Sequence, residues 1–486
     1  MKKTSAILAA SAAIAYPASA WWLGGQIEAG YGQQYEQLAG IPYLRLVDQA
    51  YQRGVFSSSA SATFELSEEW FDAVTDGQGR ASGAPPRVTL RSAIRHGPLP
   101  GGSSPGAGTA DIEIVLDEEM RREIARVIGD KPPLRMQIAF GFDGGGVATA
   151  SIPAFTYTAT GADGGEPEQL SWGGANLVLN FSNLLERYSL RFDAPYFELR
   201  QGEEVLKWSG AKASADLQRT FEDEPLFYAG SMRLALAQLE ASVLPMEADT
   251  GSAMAPEALQ TVRVEQLEYD IDYPLQGDYI DLAARLGARV LRIGDTDYGP
   301  AHYDVSLSRI HARTAARMHR QLVEQYADPQ VQAAAAHDPS VLLAPLAEPA
   351  MTLLAHNPEL RLDRISFRSA HGNARIAARA KFDDLRPEDV GNPFALLLKL
   401  DAYGEFSLPL ALVEELQLSA LRTDPDLPDA LVQQRKRQFD AQLDALIGQG
   451  YVVREEGLLR SRIAFKAGEL KVNDLPFNPM AMGQGR

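Results

Sequence analysis

From Tyr51 to about Val305, apolar and polar residues alternate, with breaks at Gly, Pro or Asp. Alternation lines up every second side chain on one side of a strand, whereas a helix would scatter the same residues around its circumference. Leu177, Leu179 and Phe181 share a face; so do Tyr188, Leu190 and Phe192, and Met232, Leu234 and Leu236. The longest series is Ile280, Leu282, Ala284, Leu286, Ala288 and Val290, with Arg285 and Arg289 opposite. Two series change phase midway. Val262 and Val264 give way to Leu267, Tyr269 and Ile271, and Leu360 and Leu362 give way to Ile365 and Phe367. One extra residue restores such a series to its face, so the expectation is a β-bulge in each strand, with added twist and bending.

The pattern changes from Ser306 to His356. Thr314–Tyr326 reads as a helix, and Ala333–His337 and Val341–Leu354 continue the helical character, broken at Pro339 and Pro345. Strands return at Arg361–Arg368 and Ala374–Phe382, the second with Ile376, Ala378, Ala380 and Phe382 on one side and Arg375, Arg379 and Lys381 on the other. A helix follows over Asp429–Ile447, with Phe439, Leu443, Leu446 and Ile447 as its apolar stripe. Tyr451–Asn473 reads as closing hairpins, turning at Glu455-Glu456-Gly457 and at Ala467-Gly468. The expected fold is α+β and β-dominated: a long, curved, twisted antiparallel sheet with bulges, a helical insert and C-terminal helices, preceded by one N-terminal membrane-anchor or signal helix. The divisions are residues 1–25 for that anchor or signal, 26–305 for the β region, 306–356 for the insert and 357–486 for the C-terminal strands and helices of the same elongated body.

Composition narrows the function. A net charge of −18 argues against nucleic acid, which needs a basic face, and against loose adsorption to anionic membranes. The chain has no cysteine, so disulfides, thiolate metal sites and cysteine nucleophiles are excluded. The N-terminus offers two readings. Lys2 and Lys3 precede an apolar run from Ala6 to Leu23. In one reading Ala18-Ser19-Ala20 ends a cleaved signal peptide. In the other the run is a retained anchor, with Trp21 and Trp22 at the far interface. Both place the body outside the cytoplasm.

Candidate chemistry is sparse. The histidines are His96, His302, His311, His319, His337, His356 and His371, with no metalloprotease spacing among them. His311 and His319 are two turns apart beside Glu324, too few ligands for a metal case. Gly102-Ser103-Ser104-Pro105-Gly106 formally matches a nucleophile elbow, but it sits in a loop of Gly, Ser and Pro rather than between a strand and a helix. Asp143-Gly144-Gly145-Gly146 lacks the Lys-Ser/Thr of a phosphate loop and reads as a hairpin turn. The acidic pairs Glu118-Glu119, Glu203-Glu204 and Asp383-Asp384 show no convergence. No catalytic, cofactor or metal residue is assigned.

Several strings, in order along the chain, carry a resemblance. They are Trp22-Leu23-Gly24-Gly25-Gln26-Ile27-Glu28; Tyr51-Gln52-Arg53-Gly54-Val55-Phe56-Ser57-Ser58; Arg95-His96-Gly97-Pro98-Leu99-Pro100; Ser171-Trp172-Gly173-Gly174; and Ala467-Gly468-Glu469-Leu470-Lys471-Val472-Asn473. Together they resemble the YdgA family of Gram-negative envelope proteins, a domain of unknown function. The resemblance implies a periplasmic body held by one inner-membrane helix. Tyr51, Arg53, Gly54, Phe56, Ser57, His96, Gly97, Pro98, Gly173, Gly174 and Gly468 are its motif residues, read here as structural. The expected function is non-enzymatic, with no cofactor: lipid or another apolar ligand held along a curved β surface. The alternatives are a scaffold that binds an envelope protein through a sheet edge or face, and an envelope hydrolase. Gly54→Val and Leu286→Asp are both expected to damage folding, the second by burying a charge.

Overall fold

The computed structural model describes residues 2–39, 44–67, 85, 87–102, 104–116, 118–159, 168–243, 260–326, 328, 330–331, 334–335, 338, 340–422 and 429–477. Ser103 and part of the predicted helical stretch Ala333–His337 lie outside them.

One antiparallel sheet dominates. Its strands are β1 (Leu44–Arg53), β2 (Ser57–Leu66), β3 (Arg87–His96), β4 (Gly108–Val115), β5 (Arg135–Phe140), β6 (Gly146–Ile152), β7 (Phe155–Ala159), β8 (Glu168–Trp172) and β9 (Ala175–Phe181). The longer central strands are β10 (Arg187–Gln201), β11 (Glu204–Phe221), β12 (Glu224–Val243), β13 (Gln260–Tyr273), β14 (Leu275–Gln276), β15 (Tyr279–Ile293), β16 (Thr296–Asp297) and β17 (Ala301–His311). After the insert come β18 (Glu359–Ser369), β19 (Gly372–Phe382), β20 (Leu400–Pro409), β21 (Val453–Glu455), β22 (Leu458–Lys466), β23 (Glu469–Val472) and β24 (Leu475–Pro476). The ladder runs β1 to β6 in order, then through β9 to β13, then β15, β17 to β20, β22, β23 and β24. Nearly every connection is a hairpin, as the alternating pattern demands.

The phase changes have two different solutions. In β18 one residue is inserted, and its register shifts against both β17 and β19 between Leu362 and Ile365. This is the expected bulge. In β13 the register is continuous with both neighbours, so no residue is inserted relative to them. Instead Pro195, Gly210, Ala237, Gln266 and Arg289 occupy one cross-strand row that the ladder skips. Gly210 (φ 65°) and Gln266 (φ 50°) take left-handed backbone in that row. The motif pair Gly173-Gly174 separates β8 from β9 at the same level, with Gly174 at φ 88°. The apolar series switches parity here in every strand: Phe192 then Phe197, Ala213 then Trp208, Leu236 then Leu239, Leu267 then Val264, Ala288 then Leu291. Arg289 donates to both Gln266 (2.8 Å) and Glu265, so two consecutive side chains lie on the charged face. The pleat therefore skips a beat in all these strands together, and the apolar series stays on one face.

Helices meet the sheet locally. α1 (Lys2–Ala39) lies against β1 to β4, and the helix Glu118–Ile128 meets β7. The insert, with helices Ala312–Tyr326, Ser340–Leu343 and Ala347–Leu354, packs on β12 and β17. The helix Leu410–Arg422 packs on β20, and Asp429–Gly448 packs on that helix. Three sequence expectations need correcting. Ser306–His311 completes β17, so the insert begins at Ala312 and not at Ser306. Helix occupies 26–39 and 118–128 within the stretch expected to be β. Among the described residues no helix is long and apolar enough to cross a membrane, so the N-terminal membrane-anchor helix finds no support. α1 is instead partly a component of the folded body.

Candidate functional site

Two features share the apolar face: the seat of α1 at one end and an open trough further along. The seat is built by the motif residues. Ala20, Leu23, Ile27, Tyr31 and Tyr35 fall three or four residues apart and form one buried stripe of α1. From Ile27 onward this stripe packs on Ala60, Ala62, Phe64, Ile94 and Ala110 of the sheet. Alanines opposite the helix let the two backbones approach closely. Burial pushes the Tyr31 phenol up to about 12.

His96 locks the outer end of the seat. Buried at the end of β3, its Nδ1–H donates to the Ala20 carbonyl (2.9 Å), so in the neutral ring Nε2 accepts from the Ser58 hydroxyl (2.9 Å). A side chain at Gly24 would overlap the His96 ring, at 2.6 Å. Arg53 pairs with Glu28 of the helix (2.9 Å), and its guanidinium lies 4.1 Å from the Trp21 ring centre. Tyr51 packs on Tyr31, with ring centres 6.2 Å apart. Gly54 closes the β1–β2 turn, its N–H donating to the Ser57 carbonyl (2.8 Å), and an added Cβ would sit 2.6 Å from that oxygen. The Phe56 carbonyl accepts from the His96 N–H (2.9 Å), and Ser57 pairs with Arg95. Gly97 passes beside Ala20, and the Pro98 carbonyl accepts from Gly106 (3.2 Å).

Three motif strings far apart in sequence thus meet at one junction. Gly173 and Gly174 lie elsewhere, on the pleat interruption, where Gly173 N–H bonds the Tyr196 carbonyl (2.8 Å). Gly468 (φ 81°) follows Ala467 (φ 51°) in the two-residue β22–β23 turn. Sequence reasoning missed Glu28 and Ser58 as partners. It also missed Glu65, which is buried between Arg45 and Arg87 and held below the usual carboxylate range first by Arg87 and then by Arg45. The opposite charges of Arg53 and Glu28 were the only available clue.

Beyond the seat, the apolar face continues strand by strand. Phe192, Ala213, Leu234, Tyr269, Leu286, Tyr303, Ile365, Ile376 and Phe406 are successive ladder partners. Their middle section forms a trough of about 530 Å³ lined by strand residues alone, nearly all apolar, including Leu236, Leu267, Ala284 and Val305. Leu234 is 44% exposed and Tyr303 47%. The opposite face carries Arg233, Asp270, Arg285, Asp304 and Arg364, also successive partners of alternating sign. Arg364 pairs with Asp304 (2.7 Å) and Arg285 with Asp272 (3.0 Å). One side of the sheet is therefore made for water and the other is not.

Among the described residues no three His, Asp or Glu side chains are placed to hold a metal. His311 ends β17 and does not share a helix face with His319. Its ring stacks on His356 (4.0 Å between centres), while His319 packs on Phe227. Burial, then His311 and Arg309, hold His356 below the usual imidazole range; burial does the same to His319.

A family model described as bacterial protein of unknown function (DUF945) matches residues 1–480. No curated protein and no solved structure matches.

Proposed function

The chain belongs to the family of bacterial proteins of unknown function (DUF945), and from the chemistry of its sheet we propose that it holds the acyl part of a lipid along the apolar face, without catalysing a reaction. The YdgA resemblance read from the motif strings is, on this proposal, the same family, and the body works in the periplasm. The observation that supports the ligand is the open trough on the row from Phe192 to Tyr303, lined by strand residues alone. Burying a large apolar side chain is worth about 1.5–3 kcal/mol, and a water-facing trough leaves that gain available to a ligand. The lining offers shape and apolar contact but few hydrogen-bonding groups, which suits a hydrocarbon chain better than a polar metabolite. The charged face supports solubility rather than binding.

The test is extraction of lipid from the purified full chain, read by mass spectrometry. Wild type is expected to carry co-purified acyl lipid. The L234D/L286D variant, still folded, is expected to carry little. A lipid-free wild-type protein that co-purifies with an envelope protein favours the scaffold reading instead.

A further inference from the structure

The rim where β1, β3, β5, β9, β11, β13, β17 and β19 end is distinct from the opposite rim. Among the described residues, the large apolar side chains exposed by 58% or more are Trp22, Phe142, Leu226, Phe394 and Leu398, and all lie along this rim. Two of the five, Trp22 and Phe142, lie at α1, with the half-exposed Leu184 beside them. Trp22, Phe142 and Leu184 line one cavity of about 430 Å³ between the helix and the strand tips, on the same apolar face as the trough. Phe56 meets the Tyr16 ring (6.0 Å), and the Leu99 carbonyl accepts from the Tyr16 hydroxyl (3.4 Å); Phe56 and Leu99 are also exposed. α1 extends N-terminally from these contacts to Lys2, and no acidic or basic residue occurs from Thr4 to Gln26.

We propose that this cluster is a membrane-contact surface: Trp22, Phe56, Leu99, Phe142 and Leu184 enter the interfacial layer of a lipid bilayer around α1. Four of these are hairpin or loop tips from different connections, and nothing in their local turns requires an apolar side chain to face water. The Trp22 indole is amphipathic and suits an interfacial layer, and the phenylalanine and leucine tips beside it bury apolar surface there while the surrounding backbone keeps its own hydrogen bonds. A second copy of the chain would meet a short row of tips from four separate connections rather than one continuous face, a poor shape for a paired surface; a fluid layer has no such difficulty. The net charge of −18 opposes attraction to anionic headgroups, so the contact is apolar rather than electrostatic. It does not require α1 to span the bilayer. It also stands whether or not the trough carries a ligand.

The absence of native cysteine makes the test clean. Single nitroxide labels at F142C and L184C, with E203C in the β10–β11 turn at the opposite rim as control, report water and oxygen access in the full chain. Phosphatidylethanolamine–phosphatidylglycerol vesicles are then added. Access of a water-soluble nickel chelate to the first two labels is expected to fall several-fold and oxygen access to rise, with the label at 203 unchanged. The shielding is expected to persist in high salt. Labels at 142 and 184 that stay as water-accessible as the one at 203 overturn the proposal, and so does shielding that salt abolishes. Lipid extraction reads the trough separately, so one result can fail without the other.

Discussion

His96 shows how one side chain links the sheet to the helix. It spends both ring nitrogens on a helix carbonyl and a β2 hydroxyl. His96→Ala leaves the Ala20 carbonyl and Ser58 without that partner, at a cost of roughly 1–3 kcal/mol. The expected outcome is lower thermal stability and faster proteolysis within α1; a variant as protease-resistant as wild type refutes the latch. Gly54→Val should cost a similar amount, on the order of 1–3 kcal/mol, because its Cβ meets the Ser57 carbonyl and not because φ is positive; an unchanged melting temperature sinks this. His319 and His356 both bind protons more weakly folded than unfolded. Their neutral state therefore costs nothing above the ordinary imidazole pKa near 6.5, and stability falls as pH drops from about 6.5 toward their lowered folded values. Urea denaturation across that window should show the slope, and H319Q/H356Q should flatten it; parallel pH profiles for the two proteins rule the account out.

At the scale of elements, the pleat interruption is the unusual device. Gln266 holds a left-handed backbone that only glycine adopts without cost. Gln266→Val, β-branched, is expected to destabilise by about 1–2 kcal/mol, whereas Gln266→Gly should be better tolerated despite losing the contact with Arg289. Equal midpoints in chemical denaturation for the two variants argue against a strained position. The β18 phase change was legible from Leu362 and Ile365 because a bulge is local to one strand. The β13 change was legible only as a change. Its solution is collective, since Pro195, Gly210, Ala237, Gln266 and Arg289 come from five strands and align only once the ladder forms. α1 was read only as an apolar run because Trp21 and Trp22 surround its packing stripe with more apolar surface.

Across the whole molecule, the consequence of a one-sided sheet is an apolar surface too large for its helices. Leu286 lies in the trough and is partly exposed, so the expected folding damage from Leu286→Asp is revised: the carboxylate reaches water. Near-wild-type melting with reduced lipid retention is the expected result, and outright unfolding would mean the site is closed in solution.

The sequence by itself determined which residues share a face, because alternation is a property of each strand alone, and so it determined a β-dominated fold with apolar and charged sides. It also marked the motif strings, though not what they touch. Tertiary structure alone decided that Trp22–Glu28, Tyr51–Ser58 and Arg95–Pro98 meet, that the face continues unbroken across the pleat interruption, and that its middle is left open. Those outcomes depend on cross-strand register and on where helices land, and both are set by contacts between residues far apart in the chain.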